Sequence, residues 1–354
     1  MASTTLVLPF GLPPAEMAPD LIRSLQAPAL ATLLSRHSKH TYHAFETDSR
    51  LLPHEAWLAR ALALTGEEKN AGKNAEPTVP AAPFAPAVMR GLGLAPDAGH
   101  WFIFHPVHLV VGTHLMMPDL RGMRIADADS RALFASAVPL FEELGKTLVY
   151  GDALTWFLRA DDWAGLATAS PDAAAGDNLH AWLPAGAAAR DFRRLLNEVQ
   201  MLWHTHPVNE GRRMPVNSFW LWAGGPASQP RPETPLATAA APAWVNALAT
   251  PELRDATAIQ WLAARDPQRT ALLGHLAGAG LAEDWSSWLQ LMRQLEDQWF
   301  APLLGALRAG QVAELNLVLT NRRGWTETTA TKMALNKFWR QENLKNLLTQ
   351  VDAG

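Results

Sequence analysis

Asn197-Glu-Val-Gln-Met-Leu-Trp-His-Thr-His-Pro-Val-Asn209, followed by Arg212 and Arg213 and then by Pro215-Val-Asn-Ser-Phe-Trp-Leu-Trp-Ala-Gly-Gly225, is the stretch that decides the fold. Its first part has helical spacing. Its middle is a polar loop holding His204, His206, Asn209, Arg212, Arg213 and Asn217. Its last part is an apolar run that ends in two glycines. A polar loop feeding a buried strand is where α/β proteins place ligand contacts.

Working outward, Thr5 to Leu8 reads as a short buried strand punctuated by Pro9 and Gly11. Pro28 to Ser35 reads as a helix with Pro28 near its first position and Leu30, Leu33 and Leu34 on one face. Pro53 to Leu64 is also helical. Residues 66–86, rich in Gly, Asn, Lys, Glu and Pro, read as a linker. Trp101 to Val111 reads as strand, with Leu115 to Pro118 as a hairpin partner. Asp127 to Leu144 carries one apolar stripe and reads as a helix, and Ala188 to Trp203 as another. Between them Thr147 to Leu158 reads as a strand pair turning at Gly151-Asp152. Phe219 to Trp222 reads as a short strand, 228–242 as a Pro- and Ala-rich mobile loop, 251–265 and 284–307 as helices, 315–319 as a strand and 336–348 as a closing helix. Strands alternate with helices at both ends, which predicts an α/β fold with a mostly parallel sheet.

The 354 residues suffice for one large α/β domain or two smaller ones, and 48% hydrophobic with 18% charged residues is a globular composition. A formal net charge of -4 gives no basic surface for nucleic acid. Without cysteine there is no disulfide and no thiolate site, which fits a cytoplasmic protein. No signal peptide and no membrane span are expected. Most of the 15 tryptophans are expected in the core.

The order His-Pro-Val-Asn, Arg, Pro-x-Asn-x-x-Trp-Leu-Trp-x-Gly in 206–224 resembles the signature of archaeal-type cofactor-independent phosphoglycerate mutases. It is closer to their relatives described as RpfE-type regulatory proteins. The helix Ala27-Pro-Ala-Leu30 onward is similar to one in the alkaline phosphatase superfamily. The resemblance implies an alkaline-phosphatase-like core with a mostly parallel sheet flanked by helices, made of 1–65 and 226–354. It implies an inserted α+β domain with its return strand in 86–225, reached through a linker at 66–85.

The resemblance also implies where a two-metal centre would sit, and its ligands are missing there. Leu8-Pro9-Phe10-Gly11 has no Asp after the first strand. Asn321 and Arg322 stand where the family has an Asp-His pair. Gly278 to Trp285 offers Glu283 and Asp284 but no His. A cationic Arg beside two divalent ions would be repelled. Neither metal nor any other cofactor is expected. Ser49, with His54 nearby, matches the family's nucleophile; the same residues also read as a loop entering a helix through Pro53.

His206, Asn209, Arg212, Arg213 and Asn217 are the expected ligand-binding set. Arg offers a bidentate fork for carboxylate or phosphate and the Asn amides add donors. Structural ties within the loop would use the same residues. His37, His40 and His43, and the pair His105 and His108, read as solvated or core histidines rather than metal ligands, because no acidic partner stands at ligand spacing. The sequence therefore points to a phosphoglycerate-mutase-like protein without its metal centre, acting in binding or regulation. Its expected partner is a small phosphorylated or carboxylated metabolite, or a protein, and neither nucleic acid nor membrane. The alternatives are an active mutase or metal-dependent phosphatase, and a scaffold for a protein partner.

Overall fold

The structure is a computed structural model that describes residues 4–46, 49–64, 82–229, 232, 234–264, 266 and 268–348. Most of the expected linker at 66–85 lies outside them. The described strands are β1 (Thr4–Leu8), β2 (Lys39–Ala44), β3 (His100–Val107), β4 (Val110–Val111), β5 (Leu115–Met116) and β6 (Thr147–Tyr150). They continue with β7 (Trp156–Arg159), β8 (Ser218–Pro226), β9 (Leu236–Ala239), β10 (Arg269–Leu273), β11 (Glu314–Thr320) and β12 (Gly324–Thr331). The chain divides into two compact units, Met1–Thr47 with Glu233–Gly354, and Asp48–Pro232. Residues 49–64, grouped with the core on sequence, are in the second unit.

The first unit is built on a six-stranded sheet in the order β2-β12-β11-β1-β10-β9. β1 pairs in parallel with both β10 and β11, and β9 continues the parallel set; β12 alone runs against the others. The parallel strands β1, β10 and β9 are buried along their whole length, as strands covered on both faces must be. Edge strand β2 is instead polar and partly exposed, which discourages pairing with another chain. The helix Pro28–Ser35 has no capping side chain of its own. Glu296 supplies the cap, accepting from Ala29 N at 2.5 Å and Leu30 N at 3.1 Å.

The second unit carries an antiparallel sheet, β6-β7-β3-β8, with helices Asp127–Glu143 and Ala189–His204 packed by a shared core. Its centre is aromatic: Phe104 stacks on Trp156 at 5.0 Å and on Phe219 at 4.8 Å. Seven tryptophans of the two units, from Trp156 to Trp288, are under 2% exposed, which is the core role expected of them, while Trp339 is 69% exposed.

The α/β expectation holds, a mostly parallel sheet flanked by helices with an added antiparallel α+β unit. Several local expectations do not. Leu236 to Ala239, within the expected loop 228–242, is a buried strand, because its small side chains fit against β10. The expected helix 251–265 is a 3-10 turn, Pro251–Leu253, followed by Ala258–Ala263, which starts at the Thr257 capping box. The closing helix 336–348 is absent. Helix Lys332–Leu335 stops at Asn336, and Arg340, Asn343 and Asn346 instead bond to the last turn of helix Pro28–Ser35 and the residues after it. Among the described residues no helix is long and apolar enough to cross a membrane.

Candidate functional site

Helix Ala189–His204 delivers the chain into the polar loop of the second unit, and the loop's side chains bond mainly to backbone. His206 opens the 3-10 turn Pro207–Asn209 and accepts from Val208 N through Nδ1 at 3.3 Å. Asn209 donates to Trp203 O at 2.8 Å and Val216 O at 2.7 Å, and accepts from Val216 N at 2.8 Å. Arg212 donates through Nε to Val208 O at 2.7 Å, through Nη1 to Arg124 O at 3.0 Å, and through Nη2 to Asp129 at 2.6 Å. Asn217 bonds both ways to the Leu109 backbone, at 2.7 and 2.8 Å, extending the pairing of β3 with β8. Four of the five residues of the expected ligand set thus have hydrogen-bond partners within the fold, and Arg213 is exposed.

In the first unit the sheet order reverses at β1, the place where open α/β sheets hold their ligands. Phe10 fills the end of β1. It is 5% exposed, has φ of 58°, and its carbonyl accepts from Trp288 Nε1 at 2.8 Å. Gly280 allows this packing, since a Cβ there would meet the Phe10 ring at 2.5 Å. After β11, Asn321 closes the turn into β12, accepting from Arg323 N at 2.8 Å. Asp284 caps helix Trp285–Leu295, accepting from Ser287 N at 3.0 Å and Ser287 Oγ at 2.6 Å, bonds that hold its carboxyl below the usual range. After β10 stands His275, half-buried, with Nδ1 unpartnered among the described residues and its pKa lowered by burial. The Phe10 ring, the Asn321 amide engaged in a turn and the Asp284 carboxylate engaged as a helix cap are not a set of carboxylates free to hold two metal ions.

A third set of chemically notable residues lies in the second unit. Ser49 is buried and accepts from Leu51 N at 3.3 Å. The next residues enter helix Pro53–Ala61, where Glu55 folds back to accept from Leu52 N at 2.8 Å. His54, Glu55 and Asp172 bring ligand atoms within 4.8 Å of one another. Arg121 grips Asp172 with two bonds, at 2.9 and 2.7 Å, and also Asp119 at 3.0 Å.

Burial, with the Asp172 charge adding to it, pushes Glu55 up to about 8, and burial holds His54 near 4. Burial works against the Arg121 charge, but Asp172 and Asp119 outweigh it and raise its pKa. At neutral pH Glu55 is protonated and His54 neutral, beside an Arg121 guanidinium that binds both Asp172 and Asp119. The ligand atoms stand at metal spacing, while the burial that keeps Glu55 protonated favours a proton in that place. Sequence reading reached Ser49 and His54 here and missed Glu55, Asp172 and Arg121. Local spacing marks Glu55 as a helix-start acid, but nothing local joins it to residues over sixty positions away.

Comparison of the sequence with models of known families and with curated proteins found no match. Comparison of the structure with solved structures found similarity to a cofactor-independent phosphoglycerate mutase from Thermoplasma acidophilum DSM 1728. That match has 12% identity, 98% of this chain and 94% of that one covered, and a TM-score of 0.40. The PH0037 protein from Pyrococcus horikoshii is similar at 11% identity, over 98% of this chain and 91% of that one, with a TM-score of 0.51. At such identity the second likeness speaks to the fold alone.

Proposed function

We propose that this chain is a phosphoglycerate-mutase-like binding or regulatory protein that does not carry out metal-dependent phosphoryl transfer. The supporting observation is the filled end of β1, where Phe10 packs on Gly280 and is held by Trp288. Two-metal phosphoryl transfer needs carboxylate and imidazole ligands to hold ions that activate the nucleophile and clamp the phosphate. Pro9, Asn321 and Arg322 offer none of these. The ligand of such a protein would be a small phosphorylated or carboxylated metabolite. The test is a phosphoglycerate mutase assay with added Mn²⁺, Zn²⁺ or Mg²⁺. No turnover beyond the metal-only blank is expected, and turnover that rises with added metal overturns the proposal.

A second reading, an active mutase or phosphatase, draws on one observation: Ser49 stands five residues before His54, which shares ligand spacing with Glu55 and Asp172. If turnover were seen, its loss in Ser49→Ala with an unchanged melt would favour that reading.

A further inference from the structure

The second unit carries a groove of about 620 Å³, within the size range of small-molecule sites. It is lined by the β4–β5 hairpin, by residues 180–186 and by one face of helix Ala189–His204. Leu115, Leu183 and Leu196 give it apolar surface. Arg193, Asn197 and Gln200 lie along the helix at the spacing that puts them on one face.

These polar side chains differ from those of the neighbouring loop. Among the described residues, Arg193, Asn197, Gln200 and His180 make no side-chain hydrogen bond or ion pair. Arg194, one residue on, is paired with both Glu143 and Glu198, so partners are within reach of this helix and Arg193 points elsewhere. Arg193 carries the one formal charge of the lining, and it is positive. The same helix begins beside the groove, at Gly186 and Ala189, and no side chain caps it. The start of the helix, whose first turn also holds Asp191, and the Arg193 guanidinium fork therefore lie along one groove of mixed polar and apolar surface.

We propose that this groove binds a small organic anion: a carboxylate, phosphate or sulfonate head received by Arg193, with an apolar body laid on the leucines. The polar groups would orient the head, and the buried apolar area would supply most of the affinity. This site is separate from the strand ends of the first unit, so it stands whether or not those ends hold metal.

The test uses anilinonaphthalene sulfonate, a sulfonate on an apolar aromatic body, titrated by fluorescence into the folded full chain. Decanoate, decyl phosphate and decanol are the competitors. Decanoate or decyl phosphate should displace the probe at least tenfold more effectively than decanol. Which of the two acids competes better identifies the head group. Arg193→Ala should weaken probe binding roughly tenfold or more with an unchanged melt. Val111→Asp, at a 79% exposed lining position, should weaken it too by placing a like charge near the anion. Arg190→Ala, on the same helix but outside the groove, should leave it unchanged. Absence of probe binding by the folded wild type overturns the proposal. So does equal affinity in Arg193→Ala, or decanol competing as well as the acids.

Discussion

The polar loop 204–217 and the groove beside helix Ala189–His204 belong to the same unit and share that helix, yet they treat polar side chains in opposite ways. In the loop, Asn209 makes three hydrogen bonds to backbone, Arg212 bonds through three nitrogens and Asn217 pairs both ways with Leu109. In the groove, Arg193, Asn197 and Gln200 line a concave surface of mixed polarity with no such commitments among the described residues. The loop is the more conspicuous in sequence. A half-buried backbone needs donors and acceptors as much as a ligand does, and only the structure shows which of the two a side chain serves.

Substitutions can break or sharpen this contrast. The largest effect is expected at Asn209. Asn209→Ala strands both backbone groups of Val216 and takes one of the donors from the Trp203 carbonyl, at a cost of about 2–4 kcal/mol. Urea unfolding measures it; a change near zero would free Asn209 for a ligand role and erase the contrast.

Next comes the buried pair His54 and Glu55, a polar set as closed as the loop. The Glu55 pKa is raised in the folded chain, from 4.5 to about 8, so its stabilising effect is complete below the unfolded value and is lost as pH rises toward 8. The His54 pKa is lowered, from 6.5 to about 4, so its contribution is present above 6.5 and is lost as pH falls toward 4. The two slopes oppose each other between 4.5 and 6.5. From 6.5 to 8 only that of Glu55 remains, about 1.4 kcal/mol per pH unit, or about 2 kcal/mol across the window. Glu55→Gln keeps an acceptor for Leu52 N and cannot titrate. Denaturant melts at pH 6.5 and 8 should differ by that amount less in the variant than in the wild type.

Arg212→Ala should cost about 1–2 kcal/mol, since its carbonyl bonds outlast a partly exposed ion pair with Asp129. Arg212→Lys should recover only part of this, because an ammonium cannot reproduce the three-way geometry. The smallest effects are expected at Arg213 and Arg193, where alanine should shift stability by no more than about 0.5 kcal/mol. A large loss at Arg193 would place it in the framework with Arg212.

Much of the architecture was legible in sequence because it rests on pattern. The stripe of 127–144, the helix 188–203 and the strands at 5–8 and 315–319 follow periodicity, and all are found within a residue or two. What escaped depends on tertiary partners. β9 is Leu-Ala-Thr-Ala between prolines, a strand only because β10 lies beside it. β12, Gly324–Thr331, is rich in threonine and needs β2 and β11 on either side. The C-terminal segment has helix-forming residues, but its Arg and Asn side chains bond to the carbonyls of a distant helix end. The sites divide in the same way. Pro9, Asn321 and Arg322 were read as departures from the pattern of a family that the sequence resembles. The grip of Arg121 on Asp172 and the packing of Phe10 on Gly280 join residues 51 and 270 positions apart, and no local signal carries them.

The filled strand ends of the first unit bear most directly on whether the chain works as a binding protein or as a metal-dependent enzyme. Elemental analysis of protein purified without chelators, and again after dialysis against Mn²⁺ and Zn²⁺, decides between them. No stoichiometric Mn, Zn or Mg is the expected result, because Phe10, Asn321 and Asp284 leave no ligand set at those ends. Two tightly held ions per chain, lost on substitution of residues at the ends of β1 and β11, would contradict it and make the chain a metal-dependent enzyme.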